Sequence, residues 1–133
     1  MLADTSFLID AFSGRSEAAD LAKAIDEEGG QLRIPTPVLY ELVRGAAGAK
    51  GRKGELQRLE EQLASYEPVA FESEDARAAG ILQEALARSG RELGTIDVQL
   101  AGMAIARNED LVTGDRLLAG IGHGVPVRTY RRA

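Results

Sequence analysis

The chain has 133 residues, a formal net charge of -5, 44% hydrophobic side chains and only 5% aromatic ones. That length suits a single domain over 1–133, with a core of Leu, Ile, Val and Ala, which favours helices packed on a sheet over an aromatic-rich barrel. No cysteine and one histidine are present, which excludes disulfides, thiolate zinc sites, a cysteine nucleophile and two-histidine cleavage of RNA.

Residues 2–3 read as a short strand running into Asp4-Thr5-Ser6, residues suited to cap a helix, and 7–12 as a helical turn closed by Gly14. Ser16 is the expected cap of a helix reaching about Glu28, with Ala19, Leu21, Ala22 and Ile25 on its apolar side and Gly29-Gly30 as its stop. Residues 31–34 predict a second strand. In Pro35-Thr36-Pro37, Thr36 is the expected cap and Pro37 lies in the first turn of a helix whose apolar face is Val38, Leu39, Leu42 and Val43. Gly45, Gly48, Gly51 and Gly54 interrupt the next stretch, so 46–54 reads as a loop. Leu56, Leu59 and Leu63 share a helix face, and 68–71 predicts a strand. Ser73 is the expected cap of a helix over 74–89, and Thr95 of another through Arg107 with Ile96, Leu100, Met103 and Ala104 inward. Residues 110–113 predict a strand, 115–119 a short helix and 125–129 a final strand.

This alternation predicts a parallel sheet sandwiched by helices, with no internal repeat or linker. No apolar run approaches the roughly 20 residues that cross a bilayer, and the first residues read as strand rather than signal peptide, so a cytoplasmic protein with no membrane partner is expected. In such sheets ligands bind beyond the carboxyl ends of the strands. Asp4 and Asp115 both fall there. Asp97 lies in the first turn of its helix, where the dipole favours negative charge. Glu41 sits one turn into its own helix, between Tyr40 and Leu42. Each also has a structural reading: Asp4 and Asp115 as helix caps, Asp97 as a first-turn acid, Glu41 as a partner for Arg44 across one turn.

The charge is unevenly spread. Arg44, Lys50, Arg52, Lys53 and Arg58 stand against one acid, Glu55, and Arg128, Arg131 and Arg132 end the chain. Such runs read either as solvated surface or as a basic rim around an acidic site. His123, within Gly120-Ile121-Gly122-His123-Gly124, reads as a loop residue without a role.

Four stretches resemble the PIN-domain superfamily and, within it, the VapC-type toxins of toxin–antitoxin pairs. They are Leu2-Ala3-Asp4-Thr5-Ser6-Phe7-Leu8-Ile9-Asp10, Ile34-Pro35-Thr36-Pro37-Val38-Leu39-Tyr40-Glu41-Leu42-Val43-Arg44-Gly45, Thr95-Ile96-Asp97-Val98-Gln99-Leu100-Ala101 and Leu111-Val112-Thr113-Gly114-Asp115. Each is short, but together they stand in the family's order and span nearly the whole chain. The resemblance implies a PIN-like three-layer α/β/α sandwich with a central, mainly parallel sheet. It implies an acidic quartet of Asp4, Glu41, Asp97 and Asp115, supported by Ser6 and Thr113. It also implies RNA as substrate, a VapB-like antitoxin as partner and a homodimer.

Hard oxygen ligands suit Mg2+, with Mn2+ as a substitute, better than softer metals. On that reading Asp4, Asp97 and Asp115 hold the metal and Glu41 helps accept the proton of the attacking water, while Ser6 and Thr113 orient carboxylates. Arg44, Lys50, Arg52 and Lys53 would touch flanking phosphates. The alternatives are an RNA-processing or quality-control nuclease on the same fold and a catalytically inactive binding module. A phosphatase or receiver domain built on a first-strand Asp is disfavoured, because no second Asp follows before Asp10 and no Lys follows Lys53.

Overall fold

A computed structural model describes residues 1–48 and 53–130. Lys50, Arg52, Arg131 and Arg132 lie outside the described residues. The chain runs β1 (Leu2–Ala3), α1 (Thr5–Phe12), α2 (Ser16–Glu27), β2 (Arg33–Pro35), α3 (Thr36–Ala47), α4 (Glu55–Leu63), β3 (Glu67–Val69), α5 (Ser73–Arg88), α6 (Thr95–Arg107), β4 (Leu111–Thr113), α7 (Arg116–Ala119) and β5 (Val127–Thr129). The five strands form one sheet in the order β3-β2-β1-β4-β5, with every neighbouring pair parallel. A parallel sheet needs apolar cover on both faces. Leu2, Ala3, Leu111 and Val112 are accordingly fully buried, under Phe7 and Leu8 of α1, Val38 of α3 and Leu100 and Met103 of α6.

Chain direction leaves β1 toward β2 on one side and returns to β4 on the other. The crevice between β1 and β4 is therefore the topological switch point at which open parallel sheets bind ligands. Leu2 pairs with Leu111 and Ala3 with Val112, so Asp4 and Thr113 emerge side by side. Helix α3 starts directly after β2 and so begins at the same edge. Helix α6 ends just before β4, which brings its N-terminus, and Asp97 with it, to that edge too.

Helices α5 and α6 meet without a gap. A Cβ on Gly102 would lie 2.6 Å from the Ala79 nitrogen and 2.7 Å from its Cα, so only glycine fits at this crossing. Buried Asp75 locks the pair: the Arg107 guanidinium donates to its Oδ1 at 3.1 Å and its Oδ2 at 2.9 Å, and to the Ala70 carbonyl at 2.9 Å.

The helix starts differ from expectation by one residue at four places. Ser16, Thr36, Ser73 and Thr95 are first helical residues, and Arg15, Pro35, Glu72 and Gly94 hold the cap positions. The cap is whichever residue keeps non-helical backbone while its carbonyl enters the helix, and here that is the preceding one. Thr36 Oγ1 instead accepts the Phe71 N–H at 3.2 Å, and Glu72 forms a capping box with Asp75. No helix among the described residues is long and apolar enough to cross a membrane.

Candidate active site

Asp4 leaves β1 with extended backbone (φ -83, ψ 173) and caps α1. Its Oδ1 accepts from the Phe7 N–H at 2.8 Å and from Ser6 Oγ at 2.9 Å, and its Oδ2 accepts from the Thr113 hydroxyl. Those two hydroxyls also accept in turn. Ser6 Oγ takes the Gly114 N–H at 3.1 Å and Thr113 Oγ1 takes the Asp115 N–H at 3.0 Å. Each hydroxyl gives its one proton to Asp4 and a lone pair to the loop after β4. Ser6 and Thr113 therefore stitch the ends of the two central strands together through the Asp4 carboxylate.

Asp115 caps α7, its Oδ1 accepting from Leu117 N–H at 2.8 Å and Leu118 N–H at 3.3 Å. Glu41 is half-buried on α3, and its Oε1 accepts from the Thr5 hydroxyl at 2.5 Å. The alternative Glu41–Arg44 bridge does not form among the described residues, and Arg44 is exposed. Asp97 is half-buried, and among the described residues its carboxylate accepts no hydrogen bond.

The electrostatics tie the four acids together. Burial comes first, then the charges of Asp115, Asp4 and Glu41, and these push the Asp97 carboxyl up to about 6 from an ordinary 3.8. Burial also raises Asp4, against the opposing hydrogen bonds of Thr113, Phe7 and Ser6, with Asp115 adding repulsion. A half-buried carboxylate that feels three others is held at a cost that a cation would relieve. The donor set is oxygen alone, which suits Mg2+ or Mn2+. Among the described residues no three acidic or imidazole side chains are grouped tightly enough to cage an ion by themselves. Magnesium does not require such a cage, since it keeps several waters and takes one or two carboxylates directly. The residues present fit it.

Glu41 borders two clefts. One, of about 480 Å3, runs between α1, α3 and α4 past Thr5, Ile9, Phe12, Arg58 and Gln62. The other, of about 500 Å3, is lined by Tyr40, Arg44, Gly45, Gly48 and Ile96. Of the four residues expected to contact RNA, Arg44 and Lys53 are exposed, and Lys50 and Arg52 fall outside the described residues. His123 is an exposed loop residue with φ 55, beside α5. Thr5, which the sequence did not single out, is brought to the site by its hydrogen bond to Glu41. It read only as a potential cap, and nothing local marks a partner 36 residues away.

The family model for the PIN domain matches residues 1–123. The chain is 26% identical over 112 residues to the tRNA(fMet)-specific endonuclease VapC of Shigella flexneri, covering 84% of this chain and 83% of that protein. Among solved structures it resembles VapBC2 of Rickettsia felis bound to a DNA fragment from its promoter, with a TM-score of 0.87, 21% identity and 98% of each chain covered. It also resembles DNA-bound VapBC of Salmonella typhimurium, with a TM-score of 0.84, 22% identity and 96% of each chain covered. At these identities the two structures establish the shared fold.

Proposed function

This chain belongs to the PIN-domain family, and from that premise we propose that it is a divalent-metal-dependent endoribonuclease, the toxin of a toxin–antitoxin pair. The observation that carries the reading is the placement of Asp4 and Asp115 at the ends of the two central strands, close enough, with Glu41, for their charges to push the Asp97 carboxyl up. The name of the Shigella relative supports RNA as the substrate. The VapBC complexes among the structural neighbours support a small antitoxin as partner. The reading also carries Mg2+ as cofactor, with Mn2+ able to replace it, a homodimer and a cytoplasmic location.

Bound at the acids, a divalent ion supplies charge neutralisation at the phosphodiester and acidifies the attacking water. The residues divide the remaining work. Asp4 would be a rigid ligand, because Phe7, Ser6 and Thr113 hold its carboxylate through hydrogen bonds to both oxygens. Asp97 would be the adaptable ligand, shedding on ion binding whatever proton its raised carboxyl still carries at the working pH. Asp115 would offer Oδ2, since Oδ1 already accepts two backbone N–H groups at the start of α7. Glu41 receives the proton of the water through the oxygen that Thr5 does not occupy. Exposed Arg44 and Lys53 contact the phosphates that flank the cut, together with Lys50 and Arg52.

The test is cleavage of purified tRNA by purified protein. Cutting with Mg2+ or Mn2+, none in excess EDTA, and a loss in Asp4→Asn and Asp97→Asn larger than the ~10–100-fold typical of outer-shell changes are expected. Cleavage that persists in EDTA would falsify the metal mechanism. For the toxin role, expression should arrest growth and the protein encoded alongside should relieve it; growth unaffected by an active nuclease argues for a processing enzyme.

A further inference from the structure

Three consecutive residues open α1, and each has its own hydrogen-bond partner. Asp4 caps the helix, Ser6 ties Asp4 to the loop after β4, and Thr5 donates across to Oε1 of Glu41 on α3 at 2.5 Å. The Thr5 hydroxyl is not needed by the helix, because the Asp4 carboxylate already takes the Phe7 N–H. It is not a general filler of space either, since Thr5 and Glu41 both line the open cleft between α1, α3 and α4. A glutamate at such an edge has three rotatable bonds and samples many rotamers unless something holds it. One hydroxyl bond removes that freedom before substrate arrives, which is how positioning accelerates a reaction. It also occupies one lone pair of Oε1, so that Oε2, with both of its own, is the oxygen better placed to take a proton or bind an ion.

We propose that Thr5 is a positioning residue, whose hydroxyl clamps Glu41 Oε1 and presents the other carboxylate oxygen of Glu41 to the reaction. The role rests on the nuclease reading above. Steady-state cleavage is compared for wild type, Thr5→Val, Thr5→Ser, Glu41→Ala and the Thr5→Val/Glu41→Ala double variant. A hydrogen bond to a charged group is worth about 10- to 100-fold, so Thr5→Val should lower kcat by that factor and leave KM within about 3-fold. Thr5→Ser should recover most of the loss. On Glu41→Ala, Thr5→Val should cost no further activity beyond about 2-fold, because the two act as one unit.

Losses that multiply in the double variant, a change confined to KM, or Thr5→Ser as impaired as Thr5→Val would each overturn the proposal. The same five proteins are melted in EDTA, where no activity is read. Thr5→Val should lower Tm in the wild-type background and not in Glu41→Ala; equal lowering in both overturns the clamp. A wild type that cleaves no RNA with Mg2+ refutes the nuclease reading instead, and the melts still decide whether Thr5 holds Glu41.

Discussion

Replacing Asp97 by Asn should make the metal-free protein more stable while destroying its activity. In the folded chain the Asp97 carboxyl titrates at about 6, against 3.8 when unperturbed. Between those values the folded form keeps a proton that the unfolded chain has already lost, so stability falls as pH rises through that window and the full cost is present above it. At ~1.4 kcal/mol per pH unit the difference corresponds to at most about 3 kcal/mol. Asp97 is half-buried, and solvent screening reduces this to about 1–2 kcal/mol. The variant removes that cost, so in EDTA at pH 7 its Tm should exceed that of wild type by about 5 °C, and at about pH 3.5, below both values, the advantage should vanish. Saturating Mg2+ should reverse the order, because ion binding stabilises the wild type by about 2.7 kcal/mol at 100 times Kd and the variant far less. Differential scanning fluorimetry across that pH range, with and without Mg2+, reads all three. A variant less stable than wild type in EDTA at neutral pH, or an advantage that persists unchanged in acid, would refute the electrostatic account.

Gly102→Ala should cost about 1–3 kcal/mol by forcing α5 and α6 apart, seen as a lower urea midpoint; an unchanged midpoint would mean that the crossing at Ala79 has room for a methyl group. Arg107→Ala should cost about 3 kcal/mol, because it leaves the buried Asp75 carboxylate without its cation, and Arg107→Lys should recover only part of that for want of the two-pronged geometry. Equal stability of the three proteins in denaturant would argue against the lock. Reversing Arg44 and Lys53 to Glu should weaken RNA binding at low salt and flatten its salt dependence; a binding isotherm identical to wild type at every salt concentration would mark both as plain solvated surface.

The edge that carries the acids was legible because it follows from element order. Alternating strands and helices favour parallel pairing, and the parallel pairing of β1 with β4 puts the residues after Ala3 and Val112, Asp4 and Thr113, next to one another. The strands are shorter than the apolar runs that predict them: 68–71 becomes Glu67–Val69 and 125–129 becomes Val127–Thr129. Their extent is set by the neighbouring ladder rather than by propensity. Two structural explanations of the acids hold, since Asp4 and Asp115 do cap helices. A cap at a strand's carboxyl end also places a carboxylate at the switch point, so the structural role and the proposed functional one are compatible in one residue. Glu41 departs from its simplest reading. It makes no bridge to Arg44, and its partner is Thr5, brought in by the packing of α1 on α3. Contacts of that kind leave no periodic trace. The Asp97 shift has the same origin, in that three of its causes come from other elements of the fold.

Calorimetric titration of the metal-free protein with Mn2+ tests the central claim most directly. Saturable binding is expected in wild type, with loss in Asp97→Asn. Near pH 6 Asp97 is about half protonated, so binding should release on the order of half a proton from that group. The measured heat should therefore depend on the buffer's ionisation enthalpy at about pH 6 and hardly at all at about pH 8. Absent binding, or equal binding by Asp97→Asn, would contradict the assignment of these acids as a metal site.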